Sequence, residues 1–189
     1  REEYKVGNLC LAGGVALNCV ANGKLLREGK FDNIWVQPAA GDAGGALGAA
    51  LAAYHIHCGK PRLVQKSPDA MSGAYLGPEF TRAEIEKALN ESGARFAWVE
   101  EDADLIKKVT AALVDGKAVG WMQGRMEFGP RALGNRSILG DPRSPTMQKL
   151  LNLKVKFRES FRPFAPSVLR EAVSEWFEME CDSPYMLLV

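Results

Sequence analysis

From Asn8 to about residue 54 the chain alternates strand-like and helix-like segments twice, and a glycine turn stands at each strand-to-helix junction. Asn8-Leu9-Cys10-Leu11-Ala12 is a short apolar run closed by Gly13-Gly14, the pattern of a buried strand entering a turn. Asn18 then stands where a helix N-cap belongs, the helix runs over about 19–28, and Gly29 follows at its C-terminal end. Asn33-Ile34-Trp35-Val36-Gln37 reads as a second strand, stopped by Pro38. Gly41-Asp42-Ala43-Gly44-Gly45 opens a second helix made of very small residues. Strand, helix, strand, helix in this order predicts an α/β fold.

The stretch 59–80 contains Gly59, Pro61, Pro68, Gly73, Gly77 and Pro78 with no sustained period, and reads as a connector. Thr81 and Glu84 form a capping box for a helix over about 82–92, ended by Gly93. Arg95–Val99 reads as a strand, Asp104–Val114 as an amphipathic helix and Lys117–Met122 as a further strand. Ser144 with Pro145 predicts another helix start. The resulting division is 1–60, a connecting region 61–100 with one helix and one strand, and 101–189, where the mixture is closer to α+β. The chain opens without Met and closes on Tyr185-Met186-Leu187-Leu188-Val189, a strand-like run with no partner in view. Both features are those of a fragment of a longer protein.

The composition, 47% hydrophobic and 25% charged with a net charge of +1, is that of a soluble globular protein and gives no global argument for nucleic acid or membrane. No apolar run reaches the ~18 residues of a spanning helix. Cys10, Cys19, Cys58 and Cys181 lack the close spacing of a zinc site, and scattered thiols fit a reducing cytoplasm.

Each glycine turn allows a ligand close to the backbone, and the helix behind it offers free amides and a positive dipole end suited to phosphate. Asp42 can cap its helix, hold a metal, or orient a ribose or hydroxyl. Close packing of two elements would also explain the small residues. His55 and His57 end an Ala-rich helix and read as exposed residues rather than ligands.

Charge is concentrated further on. Between 125 and 170 lie ten basic residues against three acidic ones, Glu127, Asp141 and Glu159. Arg125, Arg131 and Arg136 come first, interleaved with Gly, Pro and apolar residues, and arginine forks match phosphate or carboxylate oxygens. Asn135 and Ser137 add neutral donors. Lys154, Arg158 and Arg162 follow, among Phe157, Phe161, Phe164, Pro163 and Pro166. The residues alone admit an anion site, a surface patch of ion pairs, or a nucleic-acid surface.

Four segments carry a resemblance: Ala12-Gly13-Gly14-Val15-Ala16-Leu17-Asn18; Gly41 to Ala50; Gly124 to Leu139; and Phe157-Arg158-Glu159-Ser160-Phe161-Arg162-Pro163-Phe164-Ala165-Pro166. In that order they resemble the bacterial O-carbamoyltransferases of nodulation-factor, cephamycin and aminoglycoside pathways. The resemblance implies that 1–60 is the end of an actin-like ATPase-type domain and 101–189 the start of a YrdC-like domain. It implies carbamoyl phosphate and ATP as substrates, a carbamoyl-adenylate intermediate, and a hydroxyl-bearing small molecule or glycan as acceptor. Arg125, Arg131 and Arg136 would be catalytic, and with Asn135, Ser137, Lys154, Arg158 and Arg162 would bind carbamoyl phosphate and ATP. Gly13, Gly14, Asn18, Gly41, Gly44 and Gly45 would face the nucleotide of the first domain.

Divalent metal is implied as well, as Mg with ATP and as an iron-type site to which Asp42 matches one ligand. The family's His pair spaced four apart has no counterpart here, because His55 and His57 match neither its spacing nor its position. That site is therefore expected to be incomplete, and the chain alone inactive. Completion of the core by a neighbouring copy would make a homo-oligomer. Neither membrane nor nucleic acid is an expected partner; related tRNA-threonylcarbamoylation enzymes are the alternative within the same chemistry.

Overall fold

The computed structural model describes residues 1–64, 69–179 and 181–189; Pro68 of the expected connector lies outside the described residues. Helices and two small sheets alternate along the chain, consistent with α/β. Two compact units form, and they do not follow chain order. The first takes the described residues of Arg1–Pro78, with Arg125–Leu133 and Cys181–Val189. The second takes Glu79–Gly124 and the described residues from Gly134 onward to 179.

In the first unit, β1 (Asn8–Leu11) and β2 (Asn33–Val36) pair in parallel, with Asn8 opposite Asn33 and Leu11 opposite Val36. A parallel pair needs a crossover, and α1 (Cys19–Arg27) supplies it. As expected, the Asn18 side chain caps α1 by accepting the Ala21 amide at 3.1 Å. The second crossing leads from β2 into α2 (Asp42–Ala52), which runs on into a wider turn at Ala53–His57.

The core of this unit gathers Ala16, Val36, Ala39, Ala40, Met71, Ala74, Tyr185 and Leu187, with Leu11, Ile34, Leu47, Phe128 and Leu133 packed around them. Tyr185 and Leu187 correct the expectation of an unpartnered C-terminal strand. No strand forms there; the tail is anchored one side chain at a time. The Tyr185 hydroxyl donates to Asp69 at 2.8 Å and accepts the Gly73 amide at 3.2 Å. Burial, and then the Asp69 carboxylate, push the Tyr185 phenol above its ordinary value. Asn22, only 2% exposed, donates to the Ala16 and Leu187 carbonyls at 2.8 and 3.0 Å. Arg27 reaches the Val189 carbonyl at 2.8 Å.

In the second unit, α3 (Arg82–Glu91) carries the expected capping box: Thr81 Oγ1 accepts the Glu84 amide and Glu84 Oε2 accepts the Thr81 amide. Helix α4 (Asp102–Val114) precedes β3 (Val119–Met122), which pairs antiparallel with β4 (Arg136–Leu139). The strand expected at Arg95–Val99 is absent. That segment has no regular structure and no strand partner, and its aromatics pack locally instead. Trp98 meets Phe96 edge to face and lies under the Arg82 guanidinium, which also makes a two-point pair with Glu100. Alternation selects an extended backbone without supplying a partner. The helix start expected at Ser144 also shifts. Helix α5 begins at Met147 after Thr146, covers Met147–Leu150, and widens into a π turn at Leu151–Val155. A short α6 (Val173–Trp176) follows. Among the described residues no helix is long and apolar enough to cross a membrane.

An Asn22→Leu substitution strips two buried carbonyls of their donor and should cost about 1–3 kcal/mol. Urea unfolding checks this, and a loss below about 0.5 kcal/mol would show that the tail is held without Asn22.

Candidate anion-binding sites

In the first unit the two glycine turns lie beside each other, at the ends where β1 and β2 leave the sheet. A side chain at Gly41 would come within 4.0 Å of the Gly14 Cα. Ligands of open α/β sheets bind beyond these strand ends. Gly41, at φ +100°, holds a backbone conformation that disfavours any other residue. Behind it the Gly44 amide donates to the Ala39 carbonyl at 2.7 Å and the Gly45 amide to the Gly41 carbonyl at 2.9 Å, so both are already used. The amides of Asp42 and Ala43 have no partner among the described residues and remain as donors at the positive end of α2. Gly13 and Gly14 face open space.

Asp42 is the first residue of α2 rather than its cap, and its exposed carboxylate has no partner among the described residues. As a metal ligand it stands alone: no group of three His, Cys, Asp or Glu that could hold an ion occurs among the described residues. His55 and His57 lie at the far end of the same helix, roughly 20 Å away at 1.5 Å per residue. His55 Nδ1 lies 3.0 Å from the Lys60 carbonyl. The donor set around Asp42 among the described residues does not fit a metal centre.

The segment Arg125–Leu133 brings charge to these turns. Gly129, at φ +121°, lays its backbone on Ala39; a Cβ there would lie 3.0 Å from the alanine methyl. Two residues on, Arg131 Nη2 donates to the Leu17 carbonyl at 2.6 Å, in the turn that follows Gly14. Arg131 Nε is buried with no hydrogen-bond partner. Arg131 as a whole is half-buried, and a guanidinium N–H left without a partner is the kind of donor an oxyanion satisfies. Arg125 is exposed and donates to the Gly77 carbonyl at 2.8 Å. Glu127, 4% exposed, accepts the Leu133 amide at 2.7 Å and fixes the bend. Sequence reasoning counted Glu127 only as a charge.

The remaining basic residues belong to the second unit. Arg136 opens β4 and is exposed. The Ser137 hydroxyl accepts the Gly134 amide at 3.0 Å, and the Asn135 carbonyl accepts the Gln123 amide at 3.1 Å. Arg131 and Arg136 therefore sit in different units although five residues separate them. Lys154, Arg158 and Arg162 surround α5 and its π turn. Arg158 Nε donates to Asn152 Oδ1 at 2.6 Å and its guanidinium covers the Phe164 ring at 5.0 Å. Arg162 Nε pairs with Glu159 at 3.1 Å. Lys154 and Lys149 flank a shallow cavity of about 210 Å³ walled by Leu150 and Leu153.

Part of this charge is spent on ion pairs. Arg143 grips Asp141 through Nε and Nη2, and with its own amide holds that carboxyl down to about 2. Glu159 is lowered too, first by a backbone amide and then by Arg162. Lys149, Lys154, Lys156 and Arg158 have no carboxylate partner among the described residues. Sequence reasoning missed Asn152 and Gln148, which organise this region; a polar residue inside the apolar run Leu150-Leu151-Asn152-Leu153 was the available signal.

Two family models match the chain, one at each end. Residues 1–51 match the carbamoyltransferase N-terminus and residues 110–189 the carbamoyltransferase C-terminus. Together these cover more than two thirds of the chain, and the chain belongs to the carbamoyltransferase family. An uncharacterized protein of Synechocystis is 63% identical over the whole chain, which covers 31% of that protein. Nodulation protein NolO of Bradyrhizobium diazoefficiens is 50% identical over 95% of the chain and 32% of its own length. Nodulation protein U of Rhizobium tropici is 39% identical over 95% of the chain and 28% of its own length. The chain thus spans about a third of the curated relatives it matches.

Two predictions follow from local geometry. A Gly44→Ala methyl would fall 2.5 Å from the Ala39 carbonyl oxygen and should cost about 1–3 kcal/mol. Gly45→Ala meets nothing within 4 Å and should stabilise by about 0.4–1 kcal/mol. Urea unfolding of both variants compares them directly. Because Arg143 depresses the Asp141 carboxyl, this pair adds stability above the ordinary aspartate range and loses it as the pH falls through about 2. In Arg143→Ala the Asp141 carboxyl midpoint, followed by NMR, should rise toward the ordinary range.

Proposed function

We propose that this chain carries phosphate-handling parts of an ATP-dependent O-carbamoyltransferase. The longer protein would pass a carbamoyl group from carbamoyl phosphate, through an ATP-derived carbamoyl-adenylate, to a hydroxyl of a sugar or natural product. The observation that carries this reading is Arg131: its buried Nε lacks an acceptor while its Nη2 is tied to the turn after Gly14. In this reading Gly13, Gly14, Gly41 and the free amides of Asp42 and Ala43 face the nucleotide phosphate, and Arg131 offsets its charge. Arg136, Asn135, Ser137, Lys154, Arg158 and Arg162 serve the carbamoyl phosphate and the departing pyrophosphate. The actin-like kinship of 1–60 and the YrdC-like kinship of 101–189 are part of the same proposal.

The chemistry asks little covalent help from the protein. Water first cleaves carbamoyl phosphate to carbamate and inorganic phosphate; a carbamate oxygen then attacks the α-phosphorus of ATP, the bond to the oxygen bridging to the β-phosphate breaks, and pyrophosphate leaves. The acceptor hydroxyl then attacks the carbamoyl carbon, loses its proton, and AMP departs. Adenylation brings two anions together and the transfer step expels AMP as an anion, so fixed cations and backbone donors lower both barriers. Magnesium would enter with ATP as part of the substrate.

Calorimetric titration of ATP, a nonhydrolysable ATP analogue and carbamoyl phosphate into the chain tests this, beside Arg131→Ala and Arg136→Ala. Each variant should weaken binding of its anion by about ten- to a hundredfold, the range for hydrogen bonds to a charged group. Full affinity in both variants, or steeply salt-dependent binding of nucleic acid with none of carbamoyl phosphate, would overturn the proposal.

A further inference from the structure

Asn152 is fully buried, at 0% exposure, between Leu151 and Leu153 in the turn Leu151–Val155. A primary amide in that position is tolerated only when its groups are bonded, and here they all turn to one stretch of chain. Its Nδ2 donates to the Ser160 carbonyl at 3.1 Å and the Arg162 carbonyl at 2.8 Å. Its Oδ1 accepts Arg158 Nε at 2.6 Å, and its backbone carbonyl accepts the Arg158 amide at 3.0 Å. One turn earlier on the same helix, Gln148 Nε2 donates to the Phe161 and Arg162 carbonyls at 3.2 and 3.1 Å. Two amide side chains thus hold the loop from Arg158 to Arg162 along its backbone.

The way the arginines are held matters more than the number of bonds. A guanidinium can bind an oxyanion across its Nε–Nη side or across its two Nη groups. Arg158 spends Nε on Asn152, and Arg162 spends Nε on Glu159. Neither side chain has another hydrogen-bond partner among the described residues, so both keep the Nη end free. The Phe164 ring further limits how the Arg158 plane can turn.

We propose that Asn152 is a positioning residue for this basic loop. It locks Arg158 by its Nε edge so that the two Nη groups receive the phosphate of carbamoyl phosphate end-on. This rests on the reading of Arg158 as an anion ligand, given above.

The test is a double-mutant cycle on the 189-residue chain with carbamoyl phosphate as the probe, followed by calorimetry. Arg158→Ala should weaken binding about tenfold or more. Asn152→Ala should weaken it comparably, and the double variant should lose little beyond Arg158→Ala alone, because Asn152 acts through that arginine. Independently of ligand, Arg158 Nε–H should give a slowly exchanging NMR resonance that disappears in Asn152→Ala. Should Asn152→Ala fail to fold, Asn152→Asp keeps size and the oxygen for Nε, and should retain the resonance. Additive losses, wild-type affinity in Asn152→Ala, or a resonance absent from the Asn152→Asp variant would overturn the positioning role. Unchanged affinity in Arg158→Ala would instead overturn the anion-site reading, and the positioning role with it.

Discussion

Three stretches of backbone meet at Ala39, and the first unit depends on how closely they approach. The residue is fully buried. Its carbonyl receives the Gly44 amide, its own amide is held by Gln37 Oε1 at 3.1 Å, and Gly129 lies over its methyl. A larger side chain at any of these points would push α2 or the arginine segment away from the end of β2. Close packing and ligand approach therefore share one set of small residues. Gly44 serves the packing, while Gly13, Gly14 and the first amides of α2 stay open. The two explanations of the glycine-rich turns apply to neighbouring residues rather than competing.

Features fixed by a few neighbouring residues were legible from sequence. The Asn18 cap, the Thr81–Glu84 box, the two strands Asn8–Leu11 and Asn33–Val36 and the course of α4 each arise from interactions within a turn or from a local apolar pattern. Features that need a distant partner were not. Arg95–Val99 alternates like a strand, but alternation cannot say whether a neighbour exists, and Trp98 settled on Arg82 instead. Tyr185 and Leu187 look like strand residues, yet their partners are Asp69, Gly73 and Asn22, more than a hundred positions earlier.

The basic segment shows the same limit within a functional motif. Its excess of charge is plain in the sequence, and so is the fit of arginine to phosphate. The division between Arg131 and Arg136 is not, because it depends on Gly129 reaching Ala39 and on β4 pairing with β3. Nor does composition separate cations held in ion pairs, such as Arg143, from those left available, such as Lys154. Asn152 is the extreme case. Its meaning lies in carbonyls of an irregular loop, which no residue type encodes.

The return of Cys181–Val189 to the first unit has a consequence in time. Ala16, Met71 and Leu187 share one core, so that core stays open until residues 181–189 have been made. A ribosome adding residues one by one exposes the Ala16–Val36 surface long before Leu187 emerges to cover it. Closing so large a loop carries an entropic penalty that grows only slowly with length, but contacts of such wide sequence separation form slowly. The second unit, built from nearer neighbours along the chain, can take shape first, leaving the seam at Asn22 and Leu187 among the last to close.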